Sequence, residues 1–595
     1  MIEDRYSILL HRTALTGVLL GIVASIYFVA GLFGAIANPA ANILAAVAVI
    51  AAAIFFFREF AQIALQTNWV GRILWMFVFA VLVTEILLCL VPPTARDELT
   101  HHLAIPRLYV RSGKIIEVPM ALYSYYPMLL DMLYTPWVAW GYDFVPKLIH
   151  CLYGFLTGLL LYAYSSRRMN SVYGLLGFLF FISLPAVLRI GHWAYVDLGT
   201  AFYAAASLFC LLRWREENHS AWLIHAALAS GFCAATKPNG LLALFLLTCV
   251  FIVVLARRPR ESPLRRLSCC VSYGLIAALP LLPWLIKNWL QTGNPFFPLL
   301  GNFFPGFPTA SEEGSAAAFA GLAIFAKRAL LYGESWWEIA ALPLRVFIAG
   351  RDDSPQYFDG ILSPILILFL PWAFKGKWRE EKVALFTFAL VYFAYAVFLA
   401  DLRIRYILPI VPALVVLFGY GVFNIYLRMR QPVYLFIVLI GFLGWQLSYL
   451  VTYVKEVSPF EYLSGRLSRS EYLNRNLPGY AVFEYANREL PADAKIYLLF
   501  LGRRTYYCER DCLHDSGELP GFLLSVIRSA RDPMEIGSRL RAKNITHLMM
   551  QETLLGNFLR NNLNGSEAVL WDRFAAQSLE LQFRKDGYSL YRIHA

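Results

Sequence analysis

Apolar runs of near membrane-spanning length recur along this chain, and their number constrains the fold more than any single motif. Set against the ~20 residues a helix needs to cross a bilayer, they predict thirteen spans. These lie near residues 15–37, 40–57, 71–91, 148–165, 172–188, 198–213, 221–236, 240–256, 269–290, 361–374, 383–400, 406–427 and 433–454. With 59% hydrophobic and 15% charged residues in 595, the chain reads as a polytopic α-helical membrane protein rather than a soluble one. The first run lacks a small-residue cleavage site and is expected to be retained as a helix.

The net charge of +12 does not point to nucleic acid, because the basic residues stand in short clusters between apolar runs, the pattern of topology signals. Arg58 with Arg72, Arg167 with Arg168, Arg213 with Arg215, Arg257-Arg258-Pro259-Arg260 to Arg265-Arg266, Lys375 to Lys382 and Arg428 with Arg430 all fall on one side of a thirteen-span arrangement. That side is expected to be cytoplasmic, with the N-terminus, in a plasma (inner) membrane. The opposite side then receives the loop near 92–147, the segment Arg189 to Asp197, the loop near 291–360, the short Asp401-Leu402-Arg403-Ile404-Arg405 and the C-terminus.

Residues 1–454 thus form the membrane unit. From about Lys455 charged residues run throughout, so residues 455–595 are expected to fold as a soluble, extracytoplasmic (periplasmic) α/β domain. Its predicted elements are a helix from Val482 to Leu490, strands Ile496 to Leu501 and Ile545 to Met550, and a hairpin of Leu579 to Phe583 with Tyr588 to Ile593 around Lys585-Asp586-Gly587. Cys508 and Cys512 are the cysteines in clearly hydrophilic sequence. An oxidising compartment would allow a disulfide between them; a metal site with the neighbouring His514 is the alternative.

Candidate chemistry gathers on the extracytoplasmic side. Arg96-Asp97-Glu98-Leu99-Thr100-His101-His102 follows the third run; as a helix start it would pair Asp97 with His101 and Glu98 with His102 at i,i+4. An ionised Asp97 there suits a general base. The plainer readings are acidic residues at a helix N-terminus or an incomplete divalent-metal site of Glu98, His101 and His102. The aromatic stretch Tyr123-Ser124-Tyr125-Tyr126-Pro127 to Trp137 and Trp140 suits sugar stacking or interfacial anchoring.

Asp197 opens a span, as a second acid, a ligand-orienting group or an N-cap. Lys237, in Thr236-Lys237-Pro238-Asn239-Gly240, interrupts apolar sequence where an ammonium needs an anion such as phosphate, unless it is a plain loop cation. Arg403 and Arg405, before Tyr406-Ile407-Leu408-Pro409, supply guanidinium forks that match phosphate. Thr292-Gly293-Asn294-Pro295 reads as a turn at a helix end.

The order of Asp97-Glu98, Lys237-Pro238-Asn239-Gly240, Thr292-Gly293-Asn294-Pro295 and Arg405-Tyr406-Ile407-Leu408-Pro409 resembles the GT-C glycosyltransferases, in the protein O-mannosyltransferase and lipid A aminoarabinose transferase branches. The resemblance implies inverting transfer of a sugar from a polyprenyl-phosphate donor to an acceptor hydroxyl on a glycan, lipid or protein at the extracytoplasmic face. Asp97 matches the family's acidic residue in the first large loop, taken as base or acceptor-orienting group, and Glu98 the second letter of its acidic pair. Arg405, with Lys237 and Arg403, would hold the carrier phosphate, with Tyr406, Asp197, His101 and His102 as further substrate contacts. The two histidines depart from the family pattern, and a divalent metal stays open. A transporter or flippase of lipid-linked glycans, and a non-catalytic assembly or sensor protein, are the competing classes.

Overall fold

A computed structural model describes residues 5–258, 262–304, 324–399, 402–517 and 519–594. Arg260, Asp401 and residues 305–323 of the expected long loop lie outside them.

Among the described residues seven helices are long and apolar enough to cross a membrane: Arg5–Leu32, Pro39–Gln66, Trp69–Cys89, Val145–Arg168, Arg379–Phe398, Ile404–Tyr426 and Val433–Val457. Two bent pairs, Ser171–Ile182 with Pro185–Gly191 and Pro263–Ala278 with Leu282–Thr292, raise the number to nine if each is one span. Ser220–Thr236 and Gly240–Ala256 are apolar but shorter. Asp197–Glu217 is long enough and buried over most of its length, yet it carries Asp197, Arg213 and Arg215, which lower its hydropathy.

The expected thirteen spans are therefore not reproduced, and 361–374 is a clear departure. Pro364 and Pro371 break it into the one-turn helices Ile365–Leu368 and Leu370–Ala373, because proline lacks the N–H that helix continuation needs. Asn424 Nδ2 donates to the exposed carbonyls of Trp372 and Lys375 at 3.0 and 2.9 Å, which is how irregular backbone is kept in an apolar setting.

Helix ends sort the charges. At one end Arg168 is paired with Glu216 and Glu381, Arg213 with Glu216, and Arg215 with Glu380. Helix Asp197–Glu217 has its C-terminus in that network and Asp197 at the other end, and its 21 residues separate the two by about 30 Å, the thickness of a hydrocarbon core. Ser220–Thr236 returns from the network to Lys237. The next helix starts at once, and only glycine fits at its first position: a Cβ on Gly240 would lie 1.9 Å from the Cys233 carbonyl oxygen.

The C-terminal domain is a five-stranded mixed sheet with helices. Strands β1 (Lys495–Leu499), β2 (Asp511–Leu513), β3 (His547–Gln551), β4 (Leu579–Lys585) and β5 (Tyr588–Ile593) lie in the order β2-β1-β3-β5-β4. The β4–β5 hairpin turns through Asp586 and Gly587, φ 52° and 78°, the all-positive pair that a two-residue Asp-Gly turn supplies. The expected helix is Tyr480–Glu489; strand β2 was not anticipated. Cys508 and Cys512 form a disulfide, and His514 Nδ1 is engaged by the Asp515 carbonyl at 2.7 Å, so the metal alternative is not assembled.

The domain sits on the Asp97 loop. The Tyr506 N–H donates to the Leu99 carbonyl at 3.2 Å, the Tyr507 hydroxyl to Pro93 O at 2.7 Å, and Arg111 to Cys508 O at 2.8 Å.

Candidate active site

Residues 98–102 do not start an α-helix. They form a wide π-type turn, with the Leu103 N–H donating to the Glu98 carbonyl at 2.9 Å, a distortion that recurs at functional sites. The turn breaks both expected i,i+4 pairs. Asp97 is ion-paired with Arg405, 308 residues away. His102 Nδ1 lies 2.8 Å from Asp131 Oδ1, and His101 Nδ1 2.9 Å from Thr100 Oγ1, with its ring stacked on Tyr123.

Glu98 faces away from this group. Its Oε2 accepts from the N–H groups of Thr94 and Ala95 at 3.1 and 2.8 Å, and its Oε1 from Ala194 N–H at 2.6 Å. Both oxygens are taken and the residue is fully buried, which corrects its expected place beside Asp97 and dissolves the metal set of Glu98, His101 and His102. Among the described residues no group of three metal-ligating side chains is brought together.

Burial alone would raise the Asp97 pKa, but the Arg405 guanidinium holds it well below the usual carboxylate range. Burial pushes Glu98 up despite its amide donors. It also pushes the His102 imidazole down to about 3 and Asp131 well up, so burial disfavours the charged form of both partners in that contact.

A cavity of about 810 Å³ gathers Asp97, His101, His102, Lys237, Arg403, Arg405 and Tyr406 on one wall. Leu241, Leu242, Phe245 and Ala396 add an apolar part to its lining. Tyr123 and Tyr126 line it too, whereas Trp137 and Trp140 pack on each other at 5.3 Å outside it. Asp197 is not on the wall and does not cap its helix. It sits behind Lys237, 2.7 Å from Nζ, and fixes the ammonium. Tyr406 places its ring 5.0 Å from Lys237 Nζ and 5.2 Å from the Arg405 guanidinium, while its carbonyl accepts from Asn239 and Tyr392.

The cations keep donors in reserve. Arg405 gives one arm to Asp97 and its Nε is buried without a partner. Arg403 is 3.5 Å from Asp359 and more exposed. Lys287 and Asn288 donate to the Ser124 and Tyr125 carbonyls at 2.6 and 2.8 Å, so the helix end before Thr292-Gly293-Asn294-Pro295 tethers the tyrosine loop. That turn brings Leu299 to the cavity.

A second cavity, about 530 Å³, lies on the other side of the Asp97–Arg405 pair and shares Arg96, Asp97, Arg403 and Arg405 with the first. Its other lining is mixed, with Arg189, His192, Asp353 and Glu456 beside Val91, Ile190 and Ile404. Asp131, Arg503 and Arg504 were not anticipated from the sequence. Asp131 had a visible signal, a single carboxylate in the apolar stretch from Met128 to Val138.

Comparison with known proteins fits this arrangement. The family described as dolichyl-phosphate-mannose-protein mannosyltransferase matches residues 132–292, a segment that holds Asp197 and Lys237. The apo crystal structure of ArnT from Cupriavidus metallidurans shares the fold at 16% identity with TM-score 0.56, covering 87% of this chain and 97% of that one. The same protein bound to undecaprenyl phosphate matches with TM-score 0.54 at 16% identity, covering 89% of this chain and 99% of that one. No curated protein matches by sequence. The GT-C fold suggested by the ordered motifs is thereby borne out.

Proposed function

We propose that this chain, with its GT-C fold, is an integral membrane glycosyltransferase that moves a sugar from a polyprenyl-phosphate donor to an acceptor hydroxyl. The observation that carries the reading is the Asp97–Arg405 pair shared by two cavities, one reaching Leu241, Leu242 and Phe245 and the other reaching Arg189, Asp353 and Glu456. The first suits a lipid tail and the second a hydrophilic acceptor. The undecaprenyl phosphate bound by the ArnT neighbour supports a carrier of that class.

The carrier phosphate takes the unused donors of Arg405 and Lys237, with Arg403 at the rim. These cations face the charge that grows as the glycosidic C–O bond breaks and the phosphate leaves with the bonding pair. The acceptor oxygen attacks the anomeric carbon and its proton passes to Asp97. A carboxylate with a strongly depressed pKa is a weak base. Arrival of the phosphate draws Arg405 from Asp97, so the base gains strength when the donor is in place. Glu98 is turned away and offers no second carboxylate as a nucleophile, which favours single displacement with inversion. His101, on Tyr123, and His102, held by Asp131, shape the sugar pocket.

The cation clusters at the Arg168 end are read as cytoplasmic, with the N-terminus. The site and the C-terminal domain are then extracytoplasmic, in the periplasm of a cell with an inner membrane.

The test incubates purified protein in lipid nanodiscs with undecaprenyl-phosphate mannose and undecaprenyl-phosphate aminoarabinose in separate arms, with membrane extract as acceptor. Release of free undecaprenyl phosphate together with a glycosylated product is the expected result. In vesicles, movement of the intact carrier with no release in either arm would identify a flippase instead.

A further inference from the structure

A third cavity, which the transfer step does not use, lies in the C-terminal domain. It measures about 420 Å³, within the ~300–1,000 Å³ range of small-molecule pockets. Helix Tyr480–Glu489 brings Phe483 to it, the loop after β1 brings Phe500 and Arg504, and the first residue of β5 brings Tyr588. In that loop Phe500 and Arg503 take left-handed φ of 61° and 58°, a conformation that costs a non-glycine residue and that collects at functional sites. Gly479 lies against the Tyr588 ring, which a Cβ there would meet at 3.0 Å.

Polar atoms stand beside these rings with no partner of their own. His514 lines the cavity, and its Nδ1 donates to the Asp515 carbonyl at 2.7 Å. A carbonyl only accepts, and burial lowers the His514 pKa, so the neutral ring keeps its proton on Nδ1 and leaves Nε2 as an acceptor. Among the described residues neither that Nε2 nor the Tyr588 hydroxyl makes a hydrogen bond. Arg504 Nε is buried and unpartnered. The cavity thus offers an acceptor, a donor and a hydroxyl that can do either, next to Phe483 and Phe500. A sugar ring carries the complement: hydroxyls that both donate and accept, and C–H groups that pack on aromatic rings.

The cavity is also held to the Asp97 loop. Tyr507 lines it while its hydroxyl donates to Pro93 O at 2.7 Å, and Arg504 lines both this cavity and the 530 Å³ one that holds Asp97. We propose that the 420 Å³ cavity is a subsite for a pyranose of the acceptor other than the one that reacts, so that the acceptor is an oligosaccharide. The assignment rests on the transferase reading above. The reacting hydroxyl meets Asp97 from the 530 Å³ cavity while a further ring of the same glycan stays in the C-terminal domain, its hydroxyls read by His514, Tyr588 and Arg504. A lipid tail in that place would leave the three polar atoms unmatched, which is costly.

The experiment uses the full chain in nanodiscs saturated with undecaprenyl phosphate, with the methyl glycosides of glucose, galactose, mannose and N-acetylglucosamine as probes followed by saturation-transfer NMR. Wild type should bind at least one of them. Tyr588→Ala should weaken that binding about tenfold or more, Tyr588→Phe should recover part of it, and affinity for undecaprenyl phosphate should be unchanged in both. With membrane extract as acceptor, Tyr588→Ala should raise the acceptor KM by a similar factor and keep kcat. His514→Ala reads the same loss from another lining residue should Tyr588→Ala fail to fold. The proposal is overturned if wild type binds none of the four, if neither alanine variant weakens the binding, or if the acceptor KM of the active enzyme does not move. It is also overturned if dihexanoylphosphatidylglycerol below its micellar concentration displaces the glycoside, which would give the cavity to a lipid. Failure of the transferase reading shows separately, as no sugar release from wild type with the Tyr588-dependent glycoside binding still present.

Discussion

The turn from Thr94 to Leu103 has two sides, and they treat neighbouring carboxylates in opposite ways. On the cavity side Asp97 is held by a guanidinium that retains further donors, so its partner can be drawn off by an incoming anion. On the core side Glu98 is enclosed by three backbone N–H groups that cannot move without the chain moving. The difference teaches that an exchangeable partner, more than burial or residue type, separates a group suited to chemistry from one that holds the fold.

The strongest way to break this comparison is Arg405→Gln. It removes both the partner of Asp97 and the phosphate donors, so carrier affinity and transfer should fall together, by about 100- to 1,000-fold in kcat/KM. A fall in neither would place the carrier elsewhere.

Next in size is Glu98→Gln, which sets an amide N–H against backbone donors. Unfolding in mild denaturant should show a loss of roughly 2–3 kcal/mol, while transfer per folded molecule stays within about threefold. Unchanged stability with lost transfer would reverse the assignment of the two sides.

Acidification sharpens the contrast through the histidines. His102 is neutral when folded, its pKa lowered to about 3 by burial, whereas an unfolded histidine takes up a proton below ~6.5. The unfolded state therefore binds more protons in that window, and stability should fall as pH drops from ~6.5 toward 3. His102→Gln should flatten the slope of melting temperature against pH there. Asp97 works in the same direction for a different reason: its depressed folded pKa supports stability above the ordinary carboxylate range of ~4, which is lost on descent through that range. The smallest effect is expected from chelation. Arg405, Lys237 and Arg403 supply the positive charge, so EDTA should alter transfer by less than about twofold, a factor worth well under 1 kcal/mol.

Much of this was legible in the sequence because the signals are local. All thirteen apolar segments contain helix, although 361–374 holds only two one-turn pieces; Lys237 announced itself by its cost in apolar surroundings, and Asp586-Gly587 by its turn chemistry. What escaped is long-range or backbone-borne. Glu98 is claimed partly by the N–H of Ala194, 96 residues away, and backbone donors leave no mark in side-chain spacing. Segment 361–374 is apolar enough to read as a span but holds two prolines, which apolar run length does not register. Arg503 and Arg504 look like ordinary surface residues until the loop after β1 is seen to meet the Asp97 turn.

The central claim is that Asp97 takes the acceptor proton, and single-turnover transfer by Asp97→Asn measures it most directly, with undecaprenyl phosphate affinity and melting temperature recorded on the same sample. Asparagine keeps the shape and removes the base. Transfer should fall at least ~1,000-fold while the carrier still binds and the protein still melts as a folded species. Transfer near the wild-type rate in that sample would contradict the account.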